Sequence, residues 1–69
     1  MGGRDTTFNS TANPVRVMVV DDHPALRAGL RSLINSDPAL RVLLEVDSGE
    51  AAYAEYRSQR PDAVVMDLS

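Results

Sequence analysis

The stretch VMVVDDHP, Val17–Pro24, joins four apolar residues to two adjacent aspartates, a histidine and a proline. With the residues before it, this stretch forms a nearly continuous run of β-forming residues over Val15–Val20. Such a run is typical of a strand covered on both faces in a parallel sheet. A second run, Ala63–Met66, predicts another strand and is followed by Asp67. Two predicted strands therefore end in carboxylates, although neighbouring carboxylates repel each other.

The residues after the first run predict a helix. Pro24 stands at its start, where proline is favoured because its missing N–H would be unbonded there anyway. Ser36–Pro38 contains the Asp-Pro pair that ends the helix. We expect one stripe of apolar residues, spaced i, i+4, i+7 and i+8, to face the core. The stripe consists of Leu26, Leu30, Leu33 and Ile34.

A second strand and a second helix follow. Arg41–Val46 is less uniformly apolar than the first run, as expected of a strand at the edge of a sheet. Asp47 and Glu50 have the spacing of a capping box, so a helix is expected over about Ser48–Gln59. The buried side of this helix is predicted to comprise Ala52, Tyr53 and Tyr56.

The predicted order of elements, β-α-β-α-β, indicates the α/β class. Connections between parallel strands of one sheet are nearly always right-handed. If the first strand lies between the other two, in the order 2-1-3, the chain forms a doubly wound parallel sheet with the two helices on opposite faces. Ligands in such sheets bind outside the carboxyl ends of the strands, where the crossovers reverse direction. In this chain that position lies beside the first strand.

Length and composition limit the functions to consider. The 69 residues allow one domain at most. Residues 1–14 are predicted to be a flexible polar tail, which leaves residues 15–69 for the domain. The absence of cysteine excludes disulfides and thiolate metal sites and fits a cytoplasmic location. The net charge is −3 with scattered arginines, and no apolar run approaches the roughly 20 residues that cross a bilayer, so we expect neither nucleic-acid nor membrane binding by this segment.

The three strand-end aspartates predict a metal site. Asp21 and Asp22 follow the first strand and Asp67 follows the third, and these strands are neighbours in the expected order. Three converging anions are unfavourable without a counter-charge. Mg²⁺ accepts carboxylate oxygens and fills its remaining positions with water and phosphate oxygens. A cation beside a carboxylate nucleophile also permits phosphoryl transfer and an aspartyl-phosphate product.

Three motifs make the chain resemble a known family. They are VMVVDDHPALRAGLRSLI at 17–34, DSGEAA at 47–52 and RPDAVVMDLS at 60–69. Together they resemble the receiver domain of bacterial two-component response regulators, which has a flavodoxin-like fold. The DDHP motif is similar to that of the NarL/FixJ-type branch, whose members carry a helix-turn-helix output domain. The resemblance extends over residues 15–69.

The resemblance implies a role for each matching residue. Asp67 would be the phosphoacceptor, receiving its phosphoryl group from a sensor histidine kinase. Asp22 would be a direct Mg²⁺ ligand, and Asp21 a more remote one. The family's third protein ligand, a main-chain carbonyl, falls on Ser69. His23 would be a neighbour of the site and not a phosphate carrier; from the residues alone, packing or helix capping is favoured for it over metal ligation.

The sequence departs from the family in its extent. It reaches roughly halfway through the family's fold, so residues 15–69 match the amino-terminal half of a receiver domain. The later strands with a Ser or Thr and a Lys, the readout helices and the DNA-binding helix-turn-helix domain are not included. The alternative function is a fragment that does not signal and acts through protein contacts or as a homodimer. Its third strand would then be an uncovered edge able to pair with another chain.

Two enzyme classes compete with this interpretation. Phosphatases of the haloacid dehalogenase type need a second aspartate two residues after the nucleophile, where this chain has Ser69. Phosphoesterases with an Asp-His-His motif need a histidine at position 24, which is proline, and the chain has one histidine in all. We therefore expect a phosphoacceptor signalling domain, which assists its own phosphorylation, and not an enzyme.

Overall fold

The computed structural model describes residues 13–67, so residues 1–12 of the expected tail at 1–14, and the expected ligand Ser69, lie outside the described residues. Three strands alternate with two helices, in the predicted order. Both aspartate-containing strands extend one residue further than predicted, so that Asp21 and Asp67 are the last residues of their strands. The elements are β1 (Val15–Asp21), α1 (Pro24–Asn35), β2 (Leu40–Val46), α2 (Gly49–Gln59) and β3 (Ala63–Asp67).

The three strands form one parallel sheet in the order β2-β1-β3, which confirms the predicted 2-1-3 order. β1 lies in the centre and is paired on both sides. Its Met18, Val19 and Val20 are almost completely buried. Burial on both faces explains why the apolar run of β1 is continuous and does not alternate with polar residues.

The two helices cover opposite faces of the sheet, as expected. Side chains of consecutive strand residues point to opposite faces, so β1 supplies two separate cores. On the first face Val17 and Val19 pack with Ile34 of α1. On the second face the buried cluster consists of Met18, Val20 and Ala52 of α2. The carboxyl end of β1 therefore lies between two opposed crossovers.

An irregularity in β2 lets this strand contribute to both cores. Val42 and Leu44 pair with consecutive residues of β1, so Leu43 is an extra residue in the ladder. Leu40 and Val42 pack on the α1 side, whereas Leu44 and Val46 pack on the α2 side. With a strict period of two, these four residues would all point to one face. The bulge at Leu43 reverses the alternation.

The predicted apolar stripe of α1 is only partly buried. Ile34 is buried and Leu30 is half-buried, but Leu26 and Leu33 are 46% and 69% exposed. The prediction that all four leucine and isoleucine side chains form core is therefore wrong for Leu26 and Leu33. The reason is that α1 packs mainly against β1 and β2. These two strands contact a part of the helix surface that is narrower than its apolar stripe.

The start of α2 differs from the predicted capping box. Ser48, not Asp47, occupies the N-cap position, and its side chain accepts a hydrogen bond from the backbone N–H of Ala51 at 3.1 Å. The helix itself begins at Gly49, one residue later than expected. Ser and Asp are both good N-caps, so spacing to Glu50 alone did not identify the correct one.

The tyrosines of α2 are also more exposed than predicted. Ala52 is buried, but Tyr53 and Tyr56 are 66% and 44% exposed. Both rings line an open apolar groove of about 380 Å³ between α2 and β3, together with Val64 and Met66. Among the described residues no element fills that groove, which is why the two rings are not buried.

Neither helix described between residues 13 and 67 is long and apolar enough to cross a membrane.

Candidate functional site

Two of the predicted site residues lie side by side at the carboxyl edge of the sheet. Asp21 and Asp67 are direct partners in the β1–β3 register. Partners in adjacent strands are separated by about 4.8 Å and direct their side chains to the same face. Asp67 is exposed.

Asp21 is the most enclosed polar residue of the site. Its side chain is 0% exposed. Oδ1 accepts a hydrogen bond of 2.7 Å from the backbone N–H of His23. Oδ2 is buried and has no hydrogen-bond partner within residues 13–67. A buried carboxylate oxygen without a partner is unfavourable, and a bound cation is one way to satisfy it.

Asp22 and His23 complete a compact group of potential ligand atoms. Nδ1 of His23 lies 2.9 Å from Oδ1 of Asp22 and 3.6 Å from Oδ1 of Asp21. One ligand atom from each of these three residues lies within 4.8 Å of the others. In the part of the chain that the structure describes, Asp67 is not a member of this group, although it is paired with Asp21.

The residues of the site fit a hard divalent cation. The available donors are mainly carboxylate oxygens, the ligands that Mg²⁺ prefers. The unsatisfied Oδ2 of Asp21 is the specific observation that favours a cation here, because a buried carboxylate oxygen without a hydrogen-bond partner is unfavourable. The carbonyl of Ser69, expected as a further ligand, lies outside the described residues.

Arginines of α1 hold the end of β1 in position. Nη1 of Arg27 donates a hydrogen bond of 2.9 Å to the carbonyl oxygen of Asp21. Nε of Arg27 and Nη1 of Arg31 pair with the carboxylate of Glu45 on β2, at 3.4 and 3.1 Å. The sequence interpretation missed these contacts. The signal for them is the i, i+4 spacing of the two arginines, which puts them on one side of α1.

A different acid–base pair lies at the opposite, amino edge of the sheet. The carboxylate of Asp62 accepts hydrogen bonds from the backbone N–H of Arg16 at 2.9 Å and from its Nε at 3.3 Å. The backbone hydrogen bond, with a contribution from the guanidinium charge, lowers the pKa of Asp62 below its ordinary 3.8. Asp62 therefore connects the turn before β3 to β1, and it takes no part in the candidate site.

Comparison with protein families matches residues 17–69 to the family described as response regulator receiver domain. The chain is 39% identical over 62 residues to a protein-glutamate methylesterase/protein-glutamine glutaminase of Cereibacter sphaeroides, covering 90% of this chain and 17% of that protein. It is 35% identical over 60 residues to the nitrate/nitrite response regulator NarL of Escherichia coli K12, covering 87% and 28%.

A third relative is the response regulator GacA of Pseudomonas viridiflava, which is 39% identical over 54 residues, or 78% of this chain and 25% of that protein. The chain thus spans between 17% and 28% of the length of these three relatives. No solved structure matches the chain.

Proposed function

Since the chain belongs to the response regulator receiver domain family, we propose that it accepts a phosphoryl group on Asp67 as part of a two-component phosphorelay. Phosphorylation on aspartate is general in this family. The pairing of exposed Asp67 with buried Asp21 at the carboxyl edge of the sheet is the observation that carries the proposal. It supports the proposal because an exposed carboxylate then lies beside a buried one whose Oδ2 has no hydrogen-bond partner in the described residues.

The proposed site holds Mg²⁺ through Asp22 and Asp67, with Asp21 more remote and the Ser69 carbonyl as a further ligand. Receiver domains generally bind Mg²⁺ at their acidic phosphorylation site. When bound, the ion neutralises negative charge on the transferring phosphoryl oxygens. The unpartnered Oδ2 of Asp21 and its proximity to Asp22 support this assignment.

In the proposed reaction a carboxylate oxygen of Asp67 attacks the phosphorus of a phosphohistidine on a sensor kinase. The new bond joins oxygen to phosphorus, and the phosphorus–nitrogen bond breaks. The departing electron pair stays on the imidazole nitrogen, which takes a proton from solvent. The role of the chain is to orient Asp67 at the end of β3 and to hold the neighbouring carboxylates in place through the contact from Arg27 to the Asp21 carbonyl.

In this proposal the chain is a signalling domain and has no separate substrate. Residues 15–69 form the amino-terminal half of a receiver domain after a tail at residues 1–14. The sensor histidine kinase is the direct partner. Transcriptional output would come from a helix-turn-helix domain outside this segment, in the cytoplasm, and this segment itself would not contact DNA.

Labelling with acetyl phosphate and Mg²⁺, followed by intact-mass analysis, tests the proposed acceptor. Wild type should gain the mass of one phosphoryl group, slowly, and Asp67→Asn should gain none. Asp37→Asn is the matched control, because Oδ1 of Asp37 only accepts a local hydrogen bond from the backbone N–H of Ala39, which asparagine can still accept. Labelling that persists in Asp67→Asn would reject the acceptor assignment.

The exposure of β3 favours self-association as a second candidate function. In the sheet formed by residues 13–67, β3 is an edge strand, and Val64, Val65 and Met66 are 40%, 36% and 56% exposed. An uncovered apolar edge is a template for pairing with another strand. Sedimentation should detect a homodimer that Met66→Lys converts to monomer. A compact wild-type monomer would remove this candidate.

A further inference from the structure

The metal-ligand group at the end of β1 contains a nitrogen as well as oxygens. We infer that His23 supplies an imidazole ligand, so that the site binds Ni²⁺ or Zn²⁺ with an affinity that Asp21 and Asp22 alone would not provide. The inference rests on the proposed metal site. It adds to that site a residue that the sequence interpretation assigned to packing or capping.

The distances around His23 resemble the spacing of ligands on one ion. Its Nδ1 lies 2.9 Å from Oδ1 of Asp22 and 3.6 Å from Oδ1 of Asp21. Two adjacent ligands on an octahedral ion with bonds of about 2.1 Å are separated by roughly 3.0 Å. In tetrahedral zinc sites with bonds of about 2.0–2.1 Å the separation is roughly 3.4 Å. The two distances from Nδ1 therefore lie close to the separations expected for ligands of one ion, and all three ligand atoms lie within 4.8 Å of one another.

The burial of Asp21 is a second observation that favours a cation at this group. The side chain of Asp21 is 0% exposed, and its Oδ2 has no hydrogen-bond partner in the described part of the chain. His23 satisfies the other oxygen of Asp21 through its backbone N–H, at 2.7 Å. The same residue thus fixes the orientation of Asp21 and places its imidazole beside the carboxylates.

Because the side chain of His23 is an imidazole, it should strengthen the binding of some cations more than that of others. Carboxylate and water ligands suit Mg²⁺, whereas imidazole suits Ni²⁺ and Zn²⁺. The side chain of His23 is 58% exposed, so the imidazole is not part of the core. In the absence of a cation, the same Nδ1 is close enough to Asp22 to donate a hydrogen bond to it.

The composition of the chain allows a direct test. His23 is the only histidine and there is no cysteine, so in a tag-free protein any imidazole ligand must be His23. We propose calorimetric titration of the full 69-residue chain with Mg²⁺, Ni²⁺ and Zn²⁺ at one pH, for wild type, His23→Ala and His23→Asn. His23 occupies the N-cap position of α1 without a side-chain capping hydrogen bond, so asparagine, a favourable N-cap residue, removes the imidazole without weakening the start of the helix.

We expect both variants to bind Ni²⁺ and Zn²⁺ at least about 10-fold more weakly, because even loss of an outer-shell partner costs that much. Their Mg²⁺ affinity should change by less than about 3-fold, since carboxylate oxygens supply that site. In ¹⁵N spectra of wild type, Zn²⁺ should shift the Nδ1 resonance of the single imidazole more than the Nε2 resonance.

The other outcomes separate this inference from the proposed function. Equal losses of affinity for all three cations in the His23 variants would show that His23 only orients Asp22. Unchanged Ni²⁺ and Zn²⁺ affinities would show that His23 is not a ligand. Either result overturns the inference and leaves the proposed magnesium site standing. Absence of Mg²⁺ binding in wild type, or Mg²⁺ binding unaffected by Asp22→Asn, would overturn the proposed site itself.

Discussion

Asp21 and Asp67 are direct partners across the boundary between two parallel strands, and each is the last residue of its strand. One carboxylate is fully buried and the other is exposed. This difference agrees with the two roles proposed for the pair, in which Asp21 is a more remote ligand of the cation and Asp67 is the phosphoacceptor. The apolar runs before the two aspartates form β1 and β3, and the pairing of these strands brings the aspartates together.

Binding of Mg²⁺ should stabilise the fold. A ligand at 100 times its Kd raises the free energy of unfolding by about 2.7 kcal/mol when it binds only the folded state. We predict this increase in wild type and its loss in Asp22→Asn, measured by urea unfolding with and without Mg²⁺. Asp37→Asn should retain the increase. An equal increase in Asp22→Asn would show that the ion binds elsewhere.

The contact between Asp62 and Arg16 predicts a specific pH dependence. The backbone N–H of Arg16, followed by its charge and its side-chain hydrogen bond, holds the pKa of Asp62 below 3.8 in the folded state. A carboxyl group with a lowered folded pKa stabilises the protein above its unfolded pKa. That contribution is lost as the pH falls through the folded pKa.

Urea unfolding of wild type and Asp62→Asn over the acidic range measures this effect. The stability difference between the two proteins should be constant near neutral pH and should shrink as the pH falls below about 3.8. The difference isolates Asp62 from the other carboxyl groups, which both proteins share. A difference that does not change with pH would mean that the charge of Asp62 does not contribute.

The two strand methionines provide a matched test of where the core lies. Met18 of β1 is 1% exposed and Met66 of β3 is 56% exposed. Truncating a buried methionine to alanine costs about 2–5 kcal/mol, so Met18→Ala should greatly lower the thermal midpoint or abolish folding. Met66→Ala should cost less than about 1 kcal/mol. Thermal unfolding of both variants can be monitored by circular dichroism. A comparable loss of stability in the two variants would show that the groove beside Met66 is covered in solution.

The helix positions and the central strand could be predicted because they depend on local signals, whereas the strand order also depended on the resemblance to the receiver family. The unbroken apolar run Val15–Val20 indicated a central strand, and Pro24 marked the start of α1. The preference for right-handed crossovers then left few possible arrangements. Together these signals also predicted the edge of the sheet at which Asp21 and Asp67 meet.

Burial of the outer side chains could not be predicted in the same way. Apolar spacing shows which residues share a side of a helix, but exposure depends on what lies opposite. Tyr53 and Tyr56 remain exposed because the groove beside β3 is open within residues 13–67, and Leu33 is exposed because α1 packs mainly on β1 and β2. The bulge at Leu43 is a property of the β1–β2 pairing.

Some contacts around the site join residues far apart in the chain. Arg16 and Asp62 are 46 positions apart, and no short pattern in the sequence connects them. Arg27 donates to the backbone carbonyl of Asp21. Every residue has such a carbonyl, so the sequence does not indicate which one accepts the hydrogen bond. The roles of Asp21, Asp22, Asp67 and Ser69 in metal binding and phosphoryl transfer stay predictions.

Chemical trapping of the phosphorylated residue tests the central claim most directly. After reaction with acetyl phosphate and Mg²⁺, borohydride reduces an aspartyl phosphate to homoserine, and peptide mass spectrometry then locates the changed residue. We predict homoserine at position 67 and at no other aspartate. Homoserine at Asp21 or Asp22, with Asp67 unmodified, would contradict the assignment of Asp67 as the phosphoacceptor.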